Sequence, residues 1–303
     1  MAVNVQVWLR DIQENLYPDN SFVVKSIDDS TFVEFNRVHI PNAGAPSNVV
    51  VNRTVSSAQE VHKRIDSAIE YGIDELTTDP IYIPHIETVE LSYDKRKSVI
   101  KNDRDELSRV AHVNVLERWA KGAGTIIKTT GKEVAPHTHK SATGKRKSIS
   151  RDDVRAIMTE FDSQEIPEEG RYLLLDAHMY AHLLADLAES DKYAFFQSAD
   201  AQKGIVGNLY GINILKRSSV LRIKSDGETV LYGGDTNEAS ECGAGLAWHS
   251  SCVSRAIGDM EMFDSTKNPQ YYGDIYSFLV RTGGGPRRAD KKGVIILAEA
   301  TAN

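Results

Sequence analysis

The stretch from Asp94 to Trp119, DKRKSVIKNDRDELSRVAHVNVLERW, contains neither Pro nor Gly. Within it Val99, Ile100, Leu107, Val110, Ala111, Val113, Leu116 and Trp119 recur mostly at three- and four-residue spacing. That spacing predicts one continuous amphipathic helix with a single buried stripe. Ser92 is the predicted N-cap, Asp94 suits the positive end of the helix dipole, and Gly122 supplies the stop. At 1.5 Å per residue the helix is roughly 40 Å long. One compact domain does not need that length, so the helix is expected to back several layers of structure.

The rest of the chain must supply those layers. With 303 residues, 41% of them apolar, it can bury a substantial core and is expected to form two lobes. No apolar run approaches the ~20 residues of a membrane span. Cys242 and Cys252 are too few for a disulfide framework, so reduced thiols are expected. A net charge of −7 argues against a surface dedicated to reading nucleic acid. It leaves room for a shell that only encloses nucleic acid, because enclosure needs no affinity for phosphate.

Residues 1–30 read as an arm with no core of its own, in which Trp8 is the largest apolar side chain. Thr31–Ile40 and Val49–Val55 are β-rich and flank the turn-forming PNAGAPSN, which predicts a long hairpin. A two-stranded hairpin is marginal in water, so this one must lie on something else. Its apolar residues Phe32, Phe35, Val38, Ile40, Val49, Val51 and Val55, with Trp8 of the arm, are the predicted contacts between subunits. Glu60–Pro84 reads as extended.

After Gly122 the chain enters a polar, basic linker. Ser150 and Asp153 form a predicted capping box for a helix over Arg151–Phe161. Arg171–Leu175 reads as a buried strand and Ala177–Leu187 as a helix. Strands are predicted near Ile212–Lys216, Val220–Ile223, Val230–Tyr232 and Gly245–Trp248, and a short helix near Ser251–Ile257. The tail reads as a second hairpin, Asp274–Arg281 with Val294–Ala298, around a flexible Gly283–Gly293 turn.

Chemistry-bearing patterns are sparse. His178 and His182 stand four apart on one helix face, which is metal-ligand spacing, but the residue after His178 is Met179 and not the Glu of a zinc protease. The better reading is a pair of partly exposed histidines. Gly283–Arg288 lacks the Lys-Ser/Thr pair of a phosphate loop. Lys140, Lys145, Arg146 and Lys147 read first as a solvated linker and second as a contact for DNA or another polyanion. No catalytic residue, metal or cofactor is expected. An arm, a hairpin without a core, a long helix and a compact lobe describe a subunit completed by copies of itself.

Four stretches carry a resemblance to a known family. They are Phe32–Pro84, with IDELTTDPIYI leading into LSYDKR; the long helix; Ile166–Leu175 (IPEEGRYLLL) followed by Gly204-Ile-Val-Gly207 and Tyr210-Gly211-Ile212; and Tyr272–Ile275 through Asp290–Val294. In this order and spacing the chain resembles the major capsid proteins of tailed bacteriophages of the Hong Kong 97 type.

The resemblance implies an α+β fold. Its parts are an N-terminal arm (1–30), an extended loop (31–65), a peripheral domain (66–149 and 266–303) with a spine helix over about 94–120, and a compact α/β axial domain (150–265). It also implies self-assembly into pentamers and hexamers of an icosahedral shell around double-stranded DNA. Portal and scaffolding proteins, and in some relatives a decoration protein, are the implied partners. The virion, assembled in the cytoplasm of a bacterial host, is the implied location. An encapsulin-like protein compartment is the same-fold alternative.

Two departures from the family sharpen the expectation. Some relatives weld the shell through a lysine on the extended loop, and no lysine lies between Thr31 and His62. No cross-link through that loop is expected, so a covalent ladder on denaturing gels traced to it would contradict this. About thirty residues precede the hairpin, so scaffolding is expected to be a separate protein.

Overall fold

The computed structural model describes residues 20–34, 36–42, 51–52, 67–84, 95–231 and 239–302, together with Leu16 and Pro18. The long helix, α1, runs from Lys95 to Ala120, one residue offset from its predicted span. Its stripe Leu107, Ala111, Val115, Leu116 and Trp119 is buried. This is the i, i+4, i+8, i+9, i+12 spacing of one helix face.

The stripe packs against a long antiparallel hairpin, Val253–Asn268 with Gly273–Pro286. Asp74–Thr77 and Ile81–Pro84 both add to the Gly273–Pro286 strand, and Ile27–Asp28 pairs in parallel with the other edge. Tyr276, Phe278 and Val280 point from alternate positions into the same cluster as α1, as a period of two requires.

A second sheet forms the compact lobe. Its strands run in the order Ile205–Leu209, Ile212–Arg217, Arg171–Asp176, Cys242–His249, Leu221–Ile223 and Val230–Leu231. Val294–Ala298 pairs with Cys242–His249, and Thr125–Lys128 pairs in parallel with Val294–Ala298. Both faces are buried. Leu173, Leu175, Ile212, Ile214, Ala247, Ile295 and Leu297 face a core with Val154, Ile157 and Phe161 of α2 (Arg151–Ser163) and Met179 and Leu183 of α3 (Ala177–Asp186). Leu174, Leu246, Trp248 and Ile296, at the intervening positions, join the cluster of α1. Burial on both faces is why LLL and VIILA read as continuous apolar runs without alternation. A further helix, α4 (Glu189–Gln197), lies against this lobe through Phe195.

Trp119 of α1 and Trp248 of the lobe meet at 5.4 Å between ring centroids, with Phe22 packed edge-on to both. The Trp119 Nε1–H donates to Ser254 O at 2.8 Å, and the Trp248 Nε1–H to Lys25 O at 2.9 Å. This junction joins the C-terminal end of α1 to the second sheet.

Several expectations change. The arm does not leave the subunit over its described end. Leu16, Phe22 and Val23 are buried on the chain's own core, and Ser108 Oγ donates to Leu16 O at 2.8 Å. The strand Arg37–Asn42 pairs with Ser67–Gly72 in place of the expected Val49–Val55, of which Val51 and Asn52 alone lie among the described residues. The alternating Ile69 and Tyr71 meet Val38, Ile40 and Ala256, which selects that partner.

The expected helix at Ser251–Ile257 is a single 3-10 turn, Ser250–Cys252, that opens the long strand. The expected tail hairpin does not form, because Gly273–Pro286 and Val294–Ala298 belong to different sheets. Gly283, Gly284 and Gly285 are strand and not turn. A Cβ on Gly284 would stand 2.9 Å from Trp119 Nε1 and 2.8 Å from Ser254 O, so the glycines let α1 lie close on the sheet. The basic linker is also structured: Glu133–Val134, Lys145–Lys147 and Thr301–Ala302 form a small sheet. The predicted capping box is present, with Asp153 N donating to Ser150 Oγ at 3.3 Å and Ser150 N to Asp153 Oδ2 at 2.8 Å.

Candidate functional site

The extended loop leaves the body where α1 ends. Arg118 Nη1 donates to Gly72 O at 2.6 Å and its Nε to Asp74 Oδ2 at 2.9 Å, while Asn114 Nδ2 reaches the same oxygen at 2.6 Å. Burial works against charge on Asp74, yet these hydrogen bonds outweigh it and hold the carboxyl below its ordinary range. The last turns of the spine helix thus clamp the base of the loop.

Among the described residues the loop's sheet shares one small cluster with the body, formed by Val38, Ile40 and Ala256. Val38 and Ile40 are therefore buried within their own subunit, which corrects their assignment as contacts with a neighbour. Phe32 and Val51 remain exposed, Val51 at 82%. Trp8, Phe35, Val49 and Val55 lie outside the described residues.

Two exposed aromatic groups were not anticipated. At the far end of the long hairpin stand Phe263, Tyr271 and Tyr272, with Tyr82 beside them; Tyr272 is 81% exposed. The Tyr82 hydroxyl donates to Tyr271 O, and the two rings lie 6.2 Å apart. On the lobe, α4 holds out Tyr193 and Phe196. The signal was available: adjacent tyrosines inside the turn sequence NPQYYG have no core to enter.

The basic residues divide. Lys140, Lys145 and Lys147 are exposed, with Lys145 Nζ 2.6 Å from Glu133 Oε2. Arg146 is only 3% exposed and donates to Glu241 O at 2.9 Å and Thr143 O at 3.1 Å. Its guanidinium ties loops together and is removed from the polyanion-contact set.

The lobe also buries a polar cluster. His137 Nε2–H donates to Asp176 Oδ2 at 2.7 Å, and His137 Nδ1 lies 3.6 Å from Glu299 Oε1. Arg222 Nη1 reaches Asp176 at 3.3 Å, and Asp176 Oδ1 caps α3 by accepting from Met179 N at 2.7 Å. Burial opposes charge on His137, but the hydrogen bond to Asp176 and the charge of Glu299 raise its pKa overall. Burial raises that of Glu299. The ring of His178 lies tilted at 4.8 Å from His137, and that of His182 at 6.3 Å. The predicted histidine pair thus neighbours a third histidine. Among the described residues no group of three or more His, Cys, Asp or Glu is placed to hold a metal ion. The cluster's evident work is to join the 131–145 segment, α3 and the C-terminal strand.

No family model and no curated protein sequence matches the chain. Solved structures do resemble it. The capsid of the cyanophage P-SCSP1u superposes with a TM-score of 0.64 at 17% identity, over 92% of this chain and 87% of that one. The capsid of Ralstonia phage GP4 gives 0.63 at 14% identity, over 94% and 88%. A virus-like particle from Pyrococcus furiosus gives 0.53 at 12% identity, over 97% and 96%. The chain has the Hong Kong 97-type fold of tailed-phage capsids, with the mixed α+β content that its sequence implies.

Proposed function

We propose that this chain is a non-enzymatic shell subunit: the major capsid protein of a tailed bacteriophage. Copies assemble into pentamers and hexamers of an icosahedral shell around double-stranded DNA. One observation carries the reading. A body matching phage capsids over nine-tenths of its length exposes Val51 on the loop and Phe263, Tyr271 and Tyr272 on the long hairpin. Burying Val51, Phe263, Tyr271 and Tyr272 between copies supplies association energy without any catalytic group.

Exposed Lys140, Lys145 and Lys147 are the residues left to meet DNA, without sequence preference. A portal and a separate scaffolding protein, and in some shells a decoration protein, complete the partners. The virion is the location, after assembly in a bacterial cytoplasm.

Deleting residues 41–48 is expected to leave soluble subunits that form no stable shells by negative-stain microscopy. Normal particles from that deletion would refute the loop's role as a contact between subunits. The likeness to the Pyrococcus furiosus particle favours a second reading, an encapsulin-like compartment that holds cargo protein. Nuclease-resistant DNA inside purified particles decides for the virus; protein cargo without DNA decides for the compartment.

A further inference from the structure

A small cavity of about 190 Å³ lies where the described end of the arm, α1 and the compact lobe meet. Phe22 and Leu215 give it apolar walls, and Ser21, His112, Lys216 and Arg217 give it polar ones. Among its described lining residues none is acidic. The volume falls below the roughly 300 Å³ at which sites for organic ligands begin, so it suits an ion and not a nucleotide.

Arg217 ends the strand Ile212–Arg217, with its guanidinium 5.7 Å from the centre of the Phe22 ring. Its Nη1 is buried and has no hydrogen-bond partner, and Nη2 makes one long contact, 3.4 Å to Arg109 O. A guanidinium carries five N–H donors, so this one is left largely unsatisfied. Burial pushes its pKa down and the charge of Arg109 pushes it further, with no acid of the described residues to offset them. The other cations nearby are engaged elsewhere: Arg109 with Glu106 at 2.6 Å, and Lys216 Nζ 5.3 Å over the Tyr180 ring. A buried guanidinium without a counter-charge costs stability until an anion reaches it.

The opposite wall is held in place. The His112 Nδ1–H donates to Ser108 O at 2.5 Å, which leaves Nε2 of the neutral ring to accept the Ser21 hydroxyl at 2.5 Å. Ser21 Oγ also accepts from Val23 N at 3.3 Å. These bonds fix the arm against α1 beside the cavity, so three separate elements build its walls.

We infer that this cavity binds a small oxyanion such as inorganic phosphate, held by the Arg217 guanidinium. Arg suits this role because its planar fork engages two oxygens at once and is weakly hydrated. The ion supplies the missing counter-charge at the seam, and its occupancy ties arm, α1 and lobe together. The site stands apart from the shell-forming reading and does not depend on it.

The test uses free subunits of the full chain at constant ionic strength, with phosphate replacing chloride. The Tm of the unaltered chain is expected to rise along a saturating one-site curve, and isothermal titration calorimetry to give one phosphate per chain. Arg217→Met should bind phosphate at least about tenfold more weakly, the loss of one charge-assisted contact. It should keep only the unsaturated rise that excluded anions give to any fold. Arg217→Lys, which keeps the charge without the fork, should fold and fall between the two. Arg155→Met, which removes an exposed pair with Asp152 on α2, should respond as the unaltered chain does. Saturable binding that is unchanged in Arg217→Met and Arg217→Lys overturns the site. So does binding to the unaltered chain weaker than about 10 mM. Neither outcome touches the shell reading, because no measurement requires shells.

Discussion

The sheet of the compact lobe and the small sheet at Arg37–Asn42 are both regular strand pairings and end in opposite conditions. Cys242–His249 has a sheet neighbour on each side, and all eight of its residues are buried. Arg37–Asn42 also pairs on both sides, with Val33–Glu34 and Ser67–Gly72, yet among the described residues its sheet meets the body through a small cluster, Val38, Ile40 and Ala256 with Val33, Ile69 and Tyr71 partly buried beside them. Strand pairing alone therefore does not make a core. The lobe buries its apolar strands, while among the described residues Val51 of the loop and Phe263, Tyr271 and Tyr272 of the hairpin stand exposed.

The largest expected effect lies where the self-sufficient part is joined. Trp119→Ala empties the contact with Trp248 and Phe22 and should cost about 3–5 kcal/mol, read by denaturant unfolding. A loss under about 1 kcal/mol would mean that the junction is not the structural centre. Next, Gly284→Ala places a methyl group against Trp119 and Ser254 and should cost about 1–3 kcal/mol. An unchanged Tm would show that the helix can lift from the sheet without penalty.

A smaller effect tests the buried polar cluster through pH. His137 has a pKa raised above its ordinary 6.5, so the stability its charge contributes is complete below 6.5 and is lost as pH rises through the raised value. His182, lowered mainly by burial, works in the opposite sense and contributes above 6.5. Subtracting the thermal unfolding profile of His137→Gln from that of the unaltered chain reads the first group together with its influence on Asp176, Glu299 and His182. The difference should shrink on the alkaline side of 6.5; a flat difference would remove His137 from the account.

Smallest for the subunit is Tyr272→Ser, expected within about 0.5 kcal/mol of the unaltered stability. The same change should lower shell yield, measured by sedimentation, because the side chain has no work inside its own subunit. If the change destabilises the isolated subunit, the contrast between core and extension fails at that point.

The sequence made the self-sufficient part legible, because burial leaves periodicity. The α1 stripe, the Ser150–Asp153 capping box and the LLL and VIILA strands all follow from local pattern. What it hid came from long-range geometry. Gly283–Gly285 looks like a flexible turn and is a strand thinned for the approach of α1, and only the neighbour's position reveals that. The partner of Arg37–Asn42 was misread because Val49–Val55 is as β-rich as Ser67–Gly72, and pairing depends on which segment meets Ala256.

The α4 helix buries only Phe195, so it has almost no stripe to detect. Of the candidate contact residues, Phe32 and Val51 are exposed, whereas Val38, Ile40 and Arg146 are buried. The tyrosines of NPQYYG carried a signal in their composition that periodicity does not register.

Amide hydrogen exchange on free subunits and on assembled shells tests the central contrast most directly. Cys242–His249 should be equally protected in both. Ser67–Gly72 and the hairpin tip around Tyr271–Tyr272 should exchange quickly in the free subunit and slow by at least about tenfold on assembly. Equal protection of the loop and tip in both states would contradict the account, because it would show that the extensions are complete without a neighbour.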